Sequence, residues 1–235
     1  NIESQCFLGN SFDFSAEGVY PSNSNFLWDF GPNAVPSTSS EQDPNNIEFS
    51  SAGTQNITLT VYVNGCENAT TATVEILEQI PIEIFAIQNG CEPFTVVFEN
   101  SVNPTNHLFE WDLGNGETAS SNSVQTTYFE GLYDVSLVIT NTLNDCEGSL
   151  FLSDYIQVAP QPISGFSINS DYYVLGDPVI ISNNALYADT YNYQFSTGFT
   201  SNEETPEYIP PTIGDFTIWQ YAINEEFDCV DSSSV

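Results

Sequence analysis

Five cysteines and one histidine are the side chains here whose types invite covalent or general-base chemistry. The thiols are Cys6, Cys66, Cys91, Cys146 and Cys229. None stands in a Cys-x-x-Cys pair and one histidine is too few for a zinc set, so the spacing points to disulfides rather than a metal. An odd number leaves at least one without a partner inside the 235 residues. His107 is the one candidate general base, but Ser–His chemistry needs a nucleophile, an orienting carboxylate and an oxyanion site together. His107 lies between Asn106 and Leu108 in a loop just ahead of a strand pattern, and is read as a solvated loop residue. Carboxylates are plentiful, with 32 Asp and Glu, yet no distinctive acidic pair of the kind glycoside hydrolysis uses stands out. No catalysis is expected.

The acidic turns, such as Glu41-Gln42-Asp43 and Asn202-Glu203-Glu204, carry oxygens of the type Ca²⁺ selects. Neither an EF-hand nor a dense Asp-x-Asp-x-Asp loop is present, so a solvated acidic surface is the expectation. No metal or cofactor is expected, calcium being the one ion these turns could take. Asp29 and Asp112 are expected to bond backbone amides at turns rather than an ion.

The charge balance removes whole classes of partner. With no Lys, no Arg and a formal charge of −32, the chain has no cations to displace counterions from nucleic-acid phosphates or to dock on an anionic membrane. Stability must come from apolar burial, backbone ladders and cross-links. Like charges without internal counter-charge repel, so the melting temperature is predicted to rise with NaCl in a calorimetric titration. A further rise with millimolar Ca²⁺ at matched ionic strength would reveal specific calcium sites. No apolar run reaches the roughly 18 residues a membrane helix needs, and no basic-then-apolar signal segment is present. There is no Met, and the chain is read as the mature or internal part of a larger exported product.

One pattern recurs three times. The clearest copy runs Cys91-Glu92-Pro93, Phe94–Asn100, then Trp111-Asp112-Leu113-Gly114-Asn115-Gly116. It continues through Tyr128, Gly131-Leu132-Tyr133 and Val135–Ile139, and closes at Asp145-Cys146. The first copy has Cys6, Phe12-Asp13-Phe14, Trp28-Asp29-Phe30-Gly31, Gly53, Ile57–Val63 and Gly65-Cys66. In the third, Gly176–Asn183, Tyr193–Gly198, Tyr208, Gly214–Ile218 and Asp228-Cys229 keep the outline. Ile57, Leu59, Val61 and Val63 alternate with polar or outward residues, as do Val135, Leu137 and Ile139, and Phe216, Ile218 and Gln220, the mark of strands with one buried face. Short β-rich runs between Gly, Asn, Asp and Pro read as an all-β sandwich. Pro-bearing linkers at Glu78–Pro81 and Ala159–Pro162 divide the chain into 1–79, 80–160 and 161–235.

Trp111–Gly116 with Tyr128 and Gly131-x-Tyr133-x-Val135-x-Leu137 resembles the PKD repeat, whose pattern is W-D-F-G-D-G, a Tyr, then G-x-Y-x-V-x-L-x-V. Trp28–Gly31 matches its first half, although Pro32 replaces the next position and the second Gly is lost. Gly90-Cys91-Glu92-Pro93 and a cysteine after the last long strand resemble the variant found in large cell-surface proteins of Bacteroidota-type bacteria. The resemblance implies three tandem immunoglobulin-like (PKD-type) β-sandwich domains, the third degenerate, exported and without activity of their own. Trp28, Trp111 and Tyr193 would then pack between the sheets as core residues, with Trp219 on a late strand less constrained. Cys6–Cys66 and Cys91–Cys146 would form disulfides, each within its own repeat and worth about 4 kcal/mol. Cys229 would be buried and free or paired beyond this segment, since Gly176 or a neighbour stands where its partner should be.

The function implied is an extracellular, secreted or cell-surface stalk or filament segment of an adhesin-type protein, with accessory or carbohydrate-binding modules of a secreted hydrolase as the alternative. Its partners would be neighbouring repeats of the same longer chain, other copies, or surface glycans and proteins.

Overall fold

A computed structural model describes residues 2–235. Its strands fall into three sets, and no sheet draws strands from two of them. The first unit holds β1 (Gln5–Cys6), β2 (Asn25–Asp29), β3 (Ala34–Val35), β4 (Thr38–Ser39), β5 (Glu48–Phe49), β6 (Gly53–Val63) and β7 (Cys66–Leu77). The second holds β8 (Ile84–Phe85), β9 (Asn89–Cys91), β10 (Phe94–Asn100), β11 (His107–Asp112), β12 (Thr118–Ala119), β13 (Val124–Tyr128), β14 (Gly131–Asn141) and β15 (Glu147–Ala159). The third holds β16 (Phe166–Ile168), β17 (Val179–Asn183), β18 (Thr190–Phe195), β19 (Thr200–Ser201), β20 (Glu207–Tyr208), β21 (Ile218–Asn224) and β22 (Cys229–Ser234).

In the second unit the sheets run β13-β10-β8 and β12-β11-β14-β15-β9. The third repeats this as β16-β17-β20 and β19-β18-β21-β22. The larger sheet of the first is β1-β7-β6-β2-β4, faced by the β3–β5 pair and the bridge between Phe12 and Ile47. The chain is all-β and consists of tandem immunoglobulin-like β-sandwiches. Each unit has its own core, centred on Trp28, Phe30 and Ile57 in the first, Trp111, Phe98 and Leu137 in the second, and Tyr193, Phe195 and Ile218 in the third.

The alternating residues produce this directly. Val135, Leu137 and Ile139 all point inward from β14 and are fully buried, while their neighbours face out. Phe216 lies just before β21 rather than on it, and Ile218, Gln220 and Ala222 form the buried face of that strand.

Two features position the cysteines. First, the opening strand pairs parallel with the far end of the last strand. Gln5 and Cys6 lie opposite Ile76 and Leu77, and Asn89, Gly90 and Cys91 lie opposite Gln157, Val158 and Ala159. Second, the closing cysteine is the first residue after each hairpin turn. Val63 is paired with Cys66 across Asn64-Gly65, both with positive φ (51° and 81°), as a two-residue hairpin turn requires. Asn141 N–H donates to the Cys146 carbonyl, and Asn224 is paired with Cys229.

The opening and closing cysteines of one unit are therefore at opposite ends of it. β7 has 12 residues, about 36 Å from first Cα to last, and Cys6 sits beside the last of them. A disulfide needs Cα atoms within about 7 Å. The pairings Cys6–Cys66 and Cys91–Cys146 are thus corrected. The structure joins Cys6 to Cys146 (Cα–Cα 5.4 Å) and Cys91 to Cys229 (6.2 Å). Cys229 is neither free nor paired outside the chain, and Cys66 is the free thiol among the described residues.

Candidate functional site: the joints between units

Each bridge ties the C-terminal end of one unit to the hairpin tip of the next. Cys6 lies beside Leu77, where the chain leaves the first unit, and Cys146 immediately precedes β15 of the second. The loops closed span 140 and 138 residues. On the chain-entropy model such a loop is worth about 5 kcal/mol, although the two loops overlap and the values do not add.

Backbone and side-chain contacts reinforce both joints. Residues of the first linker and the segment after it, Ile80 and Ile82, pack on the core of the second unit. A Cβ on Gly148, two residues past Cys146, would sit 2.9 Å from the Ile80 carbonyl oxygen, so the linker lies directly against the start of β15. At the second joint the same register position is Asp231, two residues past Cys229. Its Oδ2 accepts from both the N–H and the Oγ–H of Ser164, each at 2.7 Å, and Gln161 Nε2 donates to the Val230 carbonyl at 3.2 Å. The hydrogen bonds from Ser164 hold the Asp231 carboxyl below the usual carboxylate range. Its folded pKa is depressed, so its stabilising contribution is present above the ordinary value near 4 and is lost as pH falls through the folded value. We expect Asp231→Asn to destabilise the third unit at pH 7, and the gap to the parent to close below about pH 4. Denaturant melts at pH 7 and pH 3 would show it, and an equal gap at both would refute the assignment.

The three core aromatics occupy one register position. Trp28 is opposite Leu59, Trp111 opposite Leu137 and Tyr193 opposite Gln220, and all three are buried. Each donates to a loop carbonyl: Trp28 Nε1 to Glu41 at 3.0 Å, Trp111 Nε1 to Ser121 at 2.9 Å, and Tyr193 Oη to Glu204 at 3.3 Å. The acidic turns singled out in the sequence thus supply main-chain acceptors to the core. Asp43 contributes its side chain instead, Oδ1 accepting from Ser15 Oγ at 2.7 Å and Ala16 N at 3.2 Å. Trp219 faces outward and is 37% exposed. Asp29 and Asp112 accept from the amides of Gly31 and Gly114 at 2.9 and 3.0 Å.

In the third unit the Trp/Leu pair of the others is a Tyr/Gln pair. Gln220 is fully buried, donates to Asn183 Oδ1 and Tyr193 Oη, and accepts from Gly165 N–H. Burial raises the Tyr193 pKa, opposed by the Gln220 hydrogen bond, so the phenol stays a neutral donor. Gln220→Leu restores the residue of the other repeats yet strands Gly165 N–H, and should cost about 1–3 kcal/mol. Combining it with Tyr193→Phe should recover part of that loss in a double-mutant cycle; strict additivity would count against the network.

His107 is the first residue of β11. Its Nδ1 lies 2.9 Å from the carbonyl oxygens of Asn103 and Thr105. Carbonyls only accept, so Nδ1 carries the proton and the ring closes the turn ahead of β11. Among the described residues, no three His, Cys, Asp or Glu side chains are gathered as a metal set.

Sequence reasoning missed the bridge partners, Gln220 and the Ser164–Asp231 clasp. The sequence carries no signal for the first, because the parallel register that sets each opening cysteine at the far end of the last strand is seen only in the structure.

No protein-family model matches the chain, and no curated protein matches it. Among solved structures, three N-terminal domains of the bacteriophage RB49 highly immunogenic outer capsid protein align over 97% of this chain and 93% of theirs, at 12% identity and a TM-score of 0.44. Extracellular domains 3–5 of Drosophila OTK align over 99% and 92%, at 10% identity and 0.40. The ectodomain of mouse nectin-like molecule 4 aligns over 100% and 96%, at 11% identity and 0.38.

Proposed function

We propose that this chain is a non-catalytic stalk or filament segment of an extracellular, adhesin-type surface protein, built from PKD-type repeats at about 1–79, 80–160 and 161–235. One observation carries the reading: both disulfides join successive units instead of closing within them. A bridge inside a unit stabilises that unit alone. A bridge across a joint, beside a packed linker, also removes bending freedom there, which matters to an element that must hold something at a distance. Disulfides suit an oxidising, extracellular setting, and the absence of Lys and Arg leaves trypsin-like proteases no site. The partners are adjacent repeats, other copies, or surface glycans and proteins.

The test is an in-frame deletion of these 235 residues from the parent protein in its source cells. The stalk reading expects adhesion to fall while the protein still reaches the surface. Unchanged adhesion with slower attack on a polymeric substrate would instead support the accessory-module alternative.

A further inference from the structure

The three closing cysteines share one place in the fold, yet only two are bonded. Cys66, Cys146 and Cys229 each follow a hairpin turn directly and are paired with the last residue before it. Cys146 and Cys229 are bonded to the opening-strand cysteine of the unit before, and are 2% and 8% exposed. Cys66 is free and exposed.

A second observation is independent of the thiol. In the later units, chain arriving from the unit before covers the strand that starts at the tip: Ile80 lies against Gly148, and Ser164 is bonded to Asp231. In the first unit the corresponding strand is bare. Cys66 through Thr73, eight consecutive residues of β7, are all exposed, whereas β15 and β22 bury Gly148 and Cys229 at their starts. Both the thiol and its seat lack the covering that their equivalents have.

We infer that Cys66 forms a disulfide with the opening-strand cysteine of a further sandwich unit of the same design, stacked on the hairpin-tip end of the first unit with its exit linker over the start of β7. An opening-strand partner cannot come from a second copy of these residues with its bridges intact. There Cys6 and Cys91 are already bonded, and the third unit has no cysteine between Ser170 and Pro178, the stretch that leads into β17. Forming the bond joins two sulfurs and releases two protons and two electrons, taken up by a protein or small-molecule disulfide that leaves as two thiols. The bridges then run one way, each opening cysteine reaching forward to the next unit's tip. The inference rests on the tandem-unit reading but not on an adhesive role.

The test takes the parent protein from its source, blocks free thiols with a maleimide, and digests without reduction using a Glu-specific protease. The peptide bearing Cys66 should appear joined to a cysteine outside these 235 residues that opens a strand of a further repeat. A maleimide-labelled Cys66, a Cys66–Cys66 dimer or a small-thiol adduct would each overturn the inference. The 235-residue chain alone should take one label per molecule under native conditions, abolished in Cys66→Ser. Failure to label would overturn the exposed seat on which the inference depends. Loss of adhesion on deletion, with Cys66 labelled, would leave the stalk reading standing and remove only the bridge.

Discussion

Pulled from Cys6 and Cys229, the oxidised chain should extend to no more than about 210 Å, against about 800 Å after reduction. The limit is set by connectivity. From Cys6 the shortest covalent route crosses to Cys146, returns along the backbone to Cys91 and crosses to Cys229. Only about 55 residues of backbone lie on that route, roughly 200 Å when fully extended. The rest of the first and third units lies off the load path, so a single-molecule trace should show one rupture, that of the second unit. Dithiothreitol should restore three ruptures. Bridges confined within units would give a different length, about 390 Å, because the third unit and first linker would then carry load. A measured oxidised contour near that value would refute the cross-joint pairing, and Cys146→Ser should lengthen it to about 310 Å by routing force through the first unit.

Gly114→Ala should be far more damaging than Gly31→Ala, although the two glycines hold the same place in the Trp-Asp-x-Gly motif. Both have positive φ, 75° and 85°, where a Cβ costs about 1–2 kcal/mol. Around Gly31 there is open space, whereas a Cβ on Gly114 would be driven into the backbone carbonyl of Asp134. That carbonyl belongs to the irregular step of β14, where the pairing with β15 shifts between Tyr133 and Val135, and Asp134 Oδ1 holds it by accepting from Asp154 N–H at 2.8 Å. The backbone has little room to retreat. The second unit should lose about 3 kcal/mol or more, and Gly31→Ala about 1 in the first. For a domain of this size that is a fall in melting temperature above about 10 °C against about 5 °C. Equal losses would show that the contact with Asp134 yields easily.

The fold was legible because its signals are local. Val135, Leu137 and Ile139 declare a strand by period, as do Ile57, Leu59 and Val61. The Trp-Asp-x-Gly run occurs twice, and Tyr193-Gln194-Phe195-Ser196 stands at the same spacing in the third copy, which aligns Trp28, Trp111 and Tyr193 before any contact is seen. The cysteine pairing was not legible in the same way. Proximity along the chain favours Cys91 with Cys146, and only the parallel register of β9 on the far end of β15 shows that the two face opposite ends of the unit. Gln220 was hidden for a related reason. A glutamine at an inward position looks like a strand running out of its buried face, unless its partners Gly165, Asn183 and Tyr193 are known to converge on it.

The interlaced connectivity sets a problem of timing for a polypeptide made from its N-terminus. Of these five thiols Cys6 is made first, and two competitors, Cys66 and Cys91, arrive before its true partner Cys146. An oxidant acting on the nascent, unstructured chain would join the first thiols to meet. What protects Cys6 is the completed sandwich, whose length separates it from Cys66 by the span of β7. Maturation must therefore be conformational before it is oxidative, each module closing its sheets while its sulfurs wait for the next one to arrive.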